Sequence, residues 1–159
     1  MEIKIENLKN GGLIKINNDE YPKCSESINI SHLEKFFIVQ SEELNEIEKS
    51  FLIYNWIALN ISIDLIENKN EEKLEDIIKK GRCSNVNFAK LYKYLGEKLN
   101  LKIQCIEGYS KLLDEIENIP NTFKINHLYN IVNINGKNYL IDSCFGSGHI
   151  IDSKYRSLH

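Results

Sequence analysis

The stretch Asn126–Gly148, NHLYNIVNINGKNYLIDSCFGSG, constrains the chain more than any other. Asn135-Gly136 is its strongest turn signal, because a two-residue hairpin loop needs residues that accept positive φ. Apolar residues alternate on both sides, which predicts two antiparallel strands. With a two-residue loop, Ile134 pairs with Lys137, Tyr129 falls opposite Asp142, and His127 falls opposite Cys144. Paired residues share a face, and so do residues two apart on one strand. His127, Tyr129, Asp142 and Cys144 are therefore expected on one face, with His127 and Asp142 as diagonal neighbours roughly 7 Å apart. An imidazole oriented by a carboxylate is a general base in need of a nucleophile. A three-residue loop would reverse the parity and separate them.

Upstream the pattern is mostly helical. Ser31 is placed to cap a helix through about Val39, with Glu34 completing a capping box. Ser41 is placed to cap a second, with Leu44, Ile47, Phe51, Tyr54 and Ala58 at helical spacing. From Phe51 to Ile66 apolar residues appear all round, which predicts an enclosed central helix. NKNEEKLEDIIKKG puts acids early, lysines late and Gly81 last, as a third helix would. A fourth runs from about Ser84 to Leu99, burying Phe88, Leu91, Tyr92, Leu95 and Leu99. LKIQCIEGY then alternates like a strand, and residues 111–125 read as a loop with one helical turn. Residues 2–18 read as a small hairpin around Asn10-Gly11-Gly12. Helices followed by an antiparallel sheet give an α+β fold, and 159 residues suit one domain with its own core.

The net charge of −3 gives no electrostatic reason to expect nucleic acid or an anionic membrane as partner. The run Phe51–Ile66 is too short for a bilayer and carries Asn55, Asn60 and Asp64. MEIKIENLKN has no apolar core, so no signal peptide is expected. Cys24, Cys83, Cys105 and Cys144 form no Cys-x-x-Cys pair, which argues against a zinc site and a secreted disulfide framework. A reducing, cytoplasmic setting is expected, with no metal or organic cofactor.

Cys83 stands where the fourth helix is about to begin. Unpaired N–H groups at a helix start carry partial positive charge, favour a thiolate and can hold an oxyanion. A lowered pKa is therefore expected, with alkylation of Cys83 below about pH 8 ahead of the other thiols. Cys105 and Trp56 are expected in the core, Cys24 exposed, and Cys144 as a small packed side chain facing the site. His149 and Asp152 suit turn and surface roles, and Glu42-Glu43 and Glu71-Glu72 suit helix N-terminal charge.

Four pieces of the chain resemble the transglutaminase-like superfamily, and within it the kyphoscoliosis-peptidase branch. IYNWIALNISID (Ile53–Asp64) resembles the helix before the active site. KKGRC (Lys79–Cys83) resembles the Gly-x-Cys approach to the nucleophile helix. IEGYSK (Ile106–Lys111) resembles the strand ending in Gly-Tyr. Asn126–Gly148 resembles the His-Ala-Trp-Asn stretch, its glycine turn and the Asp-x-Thr-Trp-Gly end. The resemblance implies a papain-like fold with Cys83 as nucleophile, His127 as base and Asp142 as orienting acid, acting on peptide or glutamine amides of a peptide or protein substrate. The family's Gly-aromatic-Ala after its cysteine comes later here, as Phe88-Ala89 in CSNVNFA. Tyr129 and Phe145 stand at Trp positions, and Cys144 at a Thr position.

CSNVN with INGKNYLIDSCFG also resembles the arylamine N-acetyltransferases, which share the Cys-His-Asp machinery but usually carry two further domains; here the chain stops at His159. A third expectation is a non-catalytic interaction module, since some relatives of the branch have lost the cysteine.

Overall fold

A computed structural model describes residues 21–64, 72–110, 126–147, 149–151 and 154–156. The expected N-terminal hairpin and the expected loop over 111–125 lie outside these residues. What is described is α+β: four helices and a three-stranded antiparallel sheet.

Helix α1 (Ile30–Gln40) starts at Asn29, whose side chain accepts from the His32 N–H at 2.9 Å. Helix α2 (Glu46–Asn60) starts with a reciprocal capping box: Asn45 accepts from the Glu48 N–H, and Glu48 accepts from the Asn45 N–H. The expected serine caps are therefore corrected. Ser31 lies inside α1, and Ser41 ends it with its hydroxyl donating to the Ile38 carbonyl. Asn and Ser cap about equally well, so packing of the following turns decides between them. The shift also makes Glu46 and Glu48, not Glu42 and Glu43, the acids of the first turn of α2.

In α2, Leu52, Ile53, Trp56 and Ile57 are fully buried. Phe37 of α1 meets Trp56 edge-on, and Trp56 Nε1 donates to the Pro22 carbonyl at 2.8 Å. The helix stops at Asn60, short of the expected Ile66. Ile61 is extended, and Ser62–Ile63 form strand β1, which pairs in parallel with β2 (Arg82–Cys83). The β-branched isoleucines on either side of Ser62 suit a strand better than a helix end.

Helix α3 (Leu74–Lys80) has Glu75 and Asp76 in its first turn and Lys79 and Lys80 in its last. It ends at Gly81, whose φ of 66° turns the chain back beside β1. The Ser62 N–H then donates to the Gly81 carbonyl at 2.9 Å, and the Asp64 N–H to the Cys83 carbonyl at 2.8 Å. Cys24 packs over this crossing, half-buried and not exposed as expected.

Helix α4 (Asn85–Lys98) buries Phe88, Leu91, Tyr92 and Leu95, with Leu99 buried at its end, as its spacing predicts. It lies between α2 and a sheet ordered β3 (Lys102–Gly108), β4 (His127–Ile134) and β5 (Lys137–Ile141). Asn130, Val132 and Ile134 are buried on one face of β4, and Asn130 Nδ2 donates to the Ala89 carbonyl of α4 at 3.0 Å. Cys105, expected in the core, is only partly buried. Asn135 and Gly136 form the two-residue turn, with Ile134 opposite Lys137. After β5 a 3₁₀ turn (Phe145–Ser147) packs on α2, and β6 (His149–Ile151) pairs antiparallel with β7 (Lys154–Arg156).

A Cβ at position 81 would lie 3.2 Å from the Asn60 carbonyl and 3.3 Å from Cys24 Cβ. Left-handed backbone costs a non-glycine residue about 1–2 kcal/mol before any crowding. Gly81→Ala is expected to lower stability by about 1–3 kcal/mol in urea unfolding, with an unchanged denaturant slope.

Candidate functional site

His127 is the first residue of β4, at the open end of the hairpin. Its Nε2 lies 2.9 Å from Asp142 Oδ2. Both are enclosed, with side chains 5% and 18% exposed. The other carboxylate oxygen, Oδ1, accepts from the Cys144 and Phe145 N–H groups at 3.1 and 3.3 Å. Asp142 is thus held by the backbone on one side and holds the imidazole on the other. With Nε2 committed to the carboxylate, Nδ1 is the nitrogen that can take a proton from a third group.

The ring is also confined by aromatics. Tyr129 lies 4.5 Å away between centroids and Phe145 6.0 Å away. Tyr129 is fixed by its hydroxyl, which donates to the Tyr109 carbonyl at 3.0 Å. Gly108 faces His127 across the ladder, and a Cβ there would come within 2.8 Å of the Tyr129 ring. Beyond Gly108 the pairing continues through a side chain: Asn126 Oδ1 accepts from the Ser110 N–H at 2.8 Å, and its Nδ2 donates to the Ser110 carbonyl at 2.9 Å.

Cys83 is the last residue of β2 and is followed by Ser84, the N-cap of α4. The thiol is therefore just outside the helix, not on its first turn. Ser84 makes no side-chain cap bond to the helix; its hydroxyl accepts instead from Asn87 Nδ2 at 3.0 Å, and Asn87 also donates to Glu72 at 3.1 Å. The expected fall in pKa is reversed. Cys83 is 0% exposed, and burial pushes its thiol up, with Glu72, Cys144, Asp64 and Cys24 adding to the rise. A helix end offers only partial charge, whereas burial strips water from a whole anion, so desolvation wins. Cys144 is pushed up to about 12 by burial and by Asp142, and Cys24 to about 12 by burial. At neutral pH Cys83 is a buried neutral thiol, so rapid alkylation of the resting protein is no longer expected.

The structure brings His127 to Asp142, and Cys83 and Cys144 into one buried cluster. Cys144 does not sit opposite His127 as expected. The ladder stops at Ile141, and the turn built on Asp142 carries Cys144 into the core. Among the described residues Cys83 makes no hydrogen bond to His127. Strand alternation points His127 away from the Asn130–Val132 face that α4 covers. The Cys83 segment instead meets the His127 strand at the end of the sheet, where Asn85 Nδ2 donates to the Asn126 carbonyl at 2.7 Å. Asn85 was invisible as a site residue in the sequence, since an Asn at the start of a helix is ordinary. Trp56 is committed to Pro22; Asp152 and Glu71 lie outside the described residues, and Glu72 pairs with Lys80 at 3.7 Å.

A depression of about 400 Å³ between the start of α3 and the outer side of α4 includes none of Cys83, His127 or Asp142. Among the described residues no group of three His, Cys, Asp or Glu side chains is placed to hold a metal ion. Among them, too, no helix is long and apolar enough to cross a membrane. No family model, curated protein or solved structure matches the chain.

Thiols raised in the folded state hold their protons more tightly there than in the unfolded chain. Their contribution is complete below the unfolded thiol value, about 8.5, and is lost as pH rises toward the folded values. Stability is expected to decline from about pH 9 upward, and Cys144→Ala to flatten part of that decline in urea midpoints measured across alkaline pH.

Proposed function

We propose that the chain is a thiol acyl-transfer enzyme of transglutaminase-like, papain-like fold, using Cys83, His127 and Asp142 on peptide or glutamine amides. The 2.9 Å contact between His127 Nε2 and Asp142 Oδ2 carries this reading. It joins a buried imidazole to a carboxylate that is itself fixed, and directs Nδ1 toward other work. Four widely spaced cysteines, none of them in a disulfide, fit a reducing, cytoplasmic setting.

Because the Cys83 thiol is neutral at rest, its proton moves to His127 Nδ1 as the sulfur attacks the amide carbonyl. Asp142 stabilises the imidazolium that results. The C–N bond then breaks, and the amine or ammonia leaves with the proton from Nδ1. The acyl group stays on sulfur as a thioester. Water or a primary amine next attacks it, His127 takes the proton of that nucleophile, and the proton returns to the Cys83 thiol. Water gives hydrolysis and an amine gives transfer.

The full burial of Cys83 favours a second reading, a non-catalytic interaction module of the same fold. An arylamine N-acetyltransferase-like activity ranks below both.

Incubation with an N-blocked glutamine peptide, with and without a primary amine, separates these readings. The enzyme is expected to release ammonia, to carry the acyl mass on the Cys83 peptide, and to lose both in Cys83→Ala; absence of any acyl adduct at Cys83 would overturn the glutamine-amide reading and favour the module. Asp142→Asn keeps an oxygen for the Cys144 and Phe145 N–H groups but turns an N–H toward His127 Nε2. The ring must then carry its proton on Nδ1, so the acylation rate is expected to fall by about 10²–10⁴-fold while the urea midpoint changes little.

A further inference from the structure

We infer that Asn85 is a positioning residue that sets Cys83 against His127. The inference rests on the reading above. Asn85 lies two residues after Cys83, and Asn126 lies immediately before His127. The bond from Asn85 Nδ2 to the Asn126 carbonyl, 2.7 Å long, is therefore a tie between the nucleophile's segment and the base's strand. Its acceptor is a fixed post. Asn126 donates its backbone N–H to the Gly108 carbonyl at 3.1 Å and clasps Ser110 through both ends of its side-chain amide. The carbonyl that Asn85 grips thus moves with β3 and β4 as one body.

Among the described residues, the other side-chain hydrogen bonds between α4 and the sheet lie further along the helix, at the Ala89 carbonyl, which accepts from Asn130 Nδ2 and from the Cys105 thiol. They fix how far the helix stands from the sheet face. They do not tie its first turn to the end of the sheet where His127 stands. Asn87 holds the same turn from the other side, through Ser84 and Glu72. Asn85 supplies the counterpart on the His127 side. Cys83 itself is held on β1 by the Asp64 N–H at its carbonyl, and it shares no hydrogen bond with His127, so the Asn85 tie couples that held segment to the His127 strand; a displacement near 1 Å is enough to slow a reaction by about 10²-fold. The Asn85 bond is exposed, so water can replace it without leaving a buried orphan. Its loss is therefore visible in rate more than in stability.

The test uses p-nitrophenyl acetate as acyl donor. Cys83 sulfur attacks the ester carbonyl, its proton passes to His127, p-nitrophenolate leaves, and water later releases acetate from the thioester. The pH profile of the burst, the acetyl mass on the Cys83 peptide and the urea midpoint are followed together. The wild-type burst is expected to show a limb that His127→Ala abolishes. Asn85→Ala and Asn85→Asp, the latter placing an acceptor against a carbonyl, are expected to slow acylation by about tenfold or more at an unchanged midpoint. Asn85→Gln, which keeps the donor, is expected to recover part of the rate. Asn133→Ala, which removes a 2.8 Å bond to Asn138 at the far end of the same hairpin, is expected to match wild type. Wild-type acylation in Asn85→Ala, an unaffected Asn85→Asp, or a loss that tracks the midpoint would each overturn the assignment. If wild type itself shows no His127-dependent acylation of Cys83, the enzymatic reading fails and the positioning role falls with it.

Discussion

Asn135 and Gly136 both have positive φ, and a two-residue turn of that kind matches the natural twist of the strands it joins. The pairing starts at Ile134 with Lys137, and every later pair follows by counting outward. The last pair is Asn130 with Ile141, and from the next residue the Asp142 carboxylate reaches the His127 ring. A slip of one residue would send Asp142 to the other face. His127 would then be a nearly buried imidazole with no acid beside it. The dyad is thus set by backbone geometry at a distance, before any attraction between the two side chains acts.

Asp142 then serves two structures at once. One oxygen orients His127; the other ends the ladder by accepting from the Cys144 and Phe145 N–H groups. The same turn that fixes the carboxylate brings Cys144 inward, into the cluster that contains Cys83. Burial therefore accompanies orientation here, and it decides the resting state of both thiols. Partial charge at a helix start is a weaker influence than loss of solvent by a full anion. The proposed chemistry consequently begins with proton transfer during attack, not with a standing ion pair.

The sequence made some of this legible and hid the rest for identifiable reasons. Helix α4 and the β4–β5 hairpin were readable because periodicity and the Asn-Gly turn are local signals. The closeness of His127 and Asp142 followed from those two facts by counting. The caps at Asn29 and Asn45 are not legible in the sequence, because Ser31 and Ser41 are equally good capping residues and only packing separates them. The early stop of α2 leaves no local signal, because β1 and β2 are two residues each and gain their bonds from each other, far apart in sequence. Cys83 is buried in that same pairing, so the direction of its pKa is no more legible locally than the pairing is. Asn85 shows the same limit: its partner lies 41 residues away.

Gly108 has a consequence that reaches beyond its own strand. By offering no side chain it lets the Tyr129 ring lie across the ladder, with the phenol anchored at Tyr109. The ring then stands as a wall on one flank of the imidazole, and Phe145 stands on another. The imidazole cannot swing off the carboxylate in that direction without dislodging Tyr129. A position with no functional group of its own thereby restricts the rotation of the one side chain whose orientation matters most, and any bulkier residue there would loosen the base while leaving every proposed reactive atom in place.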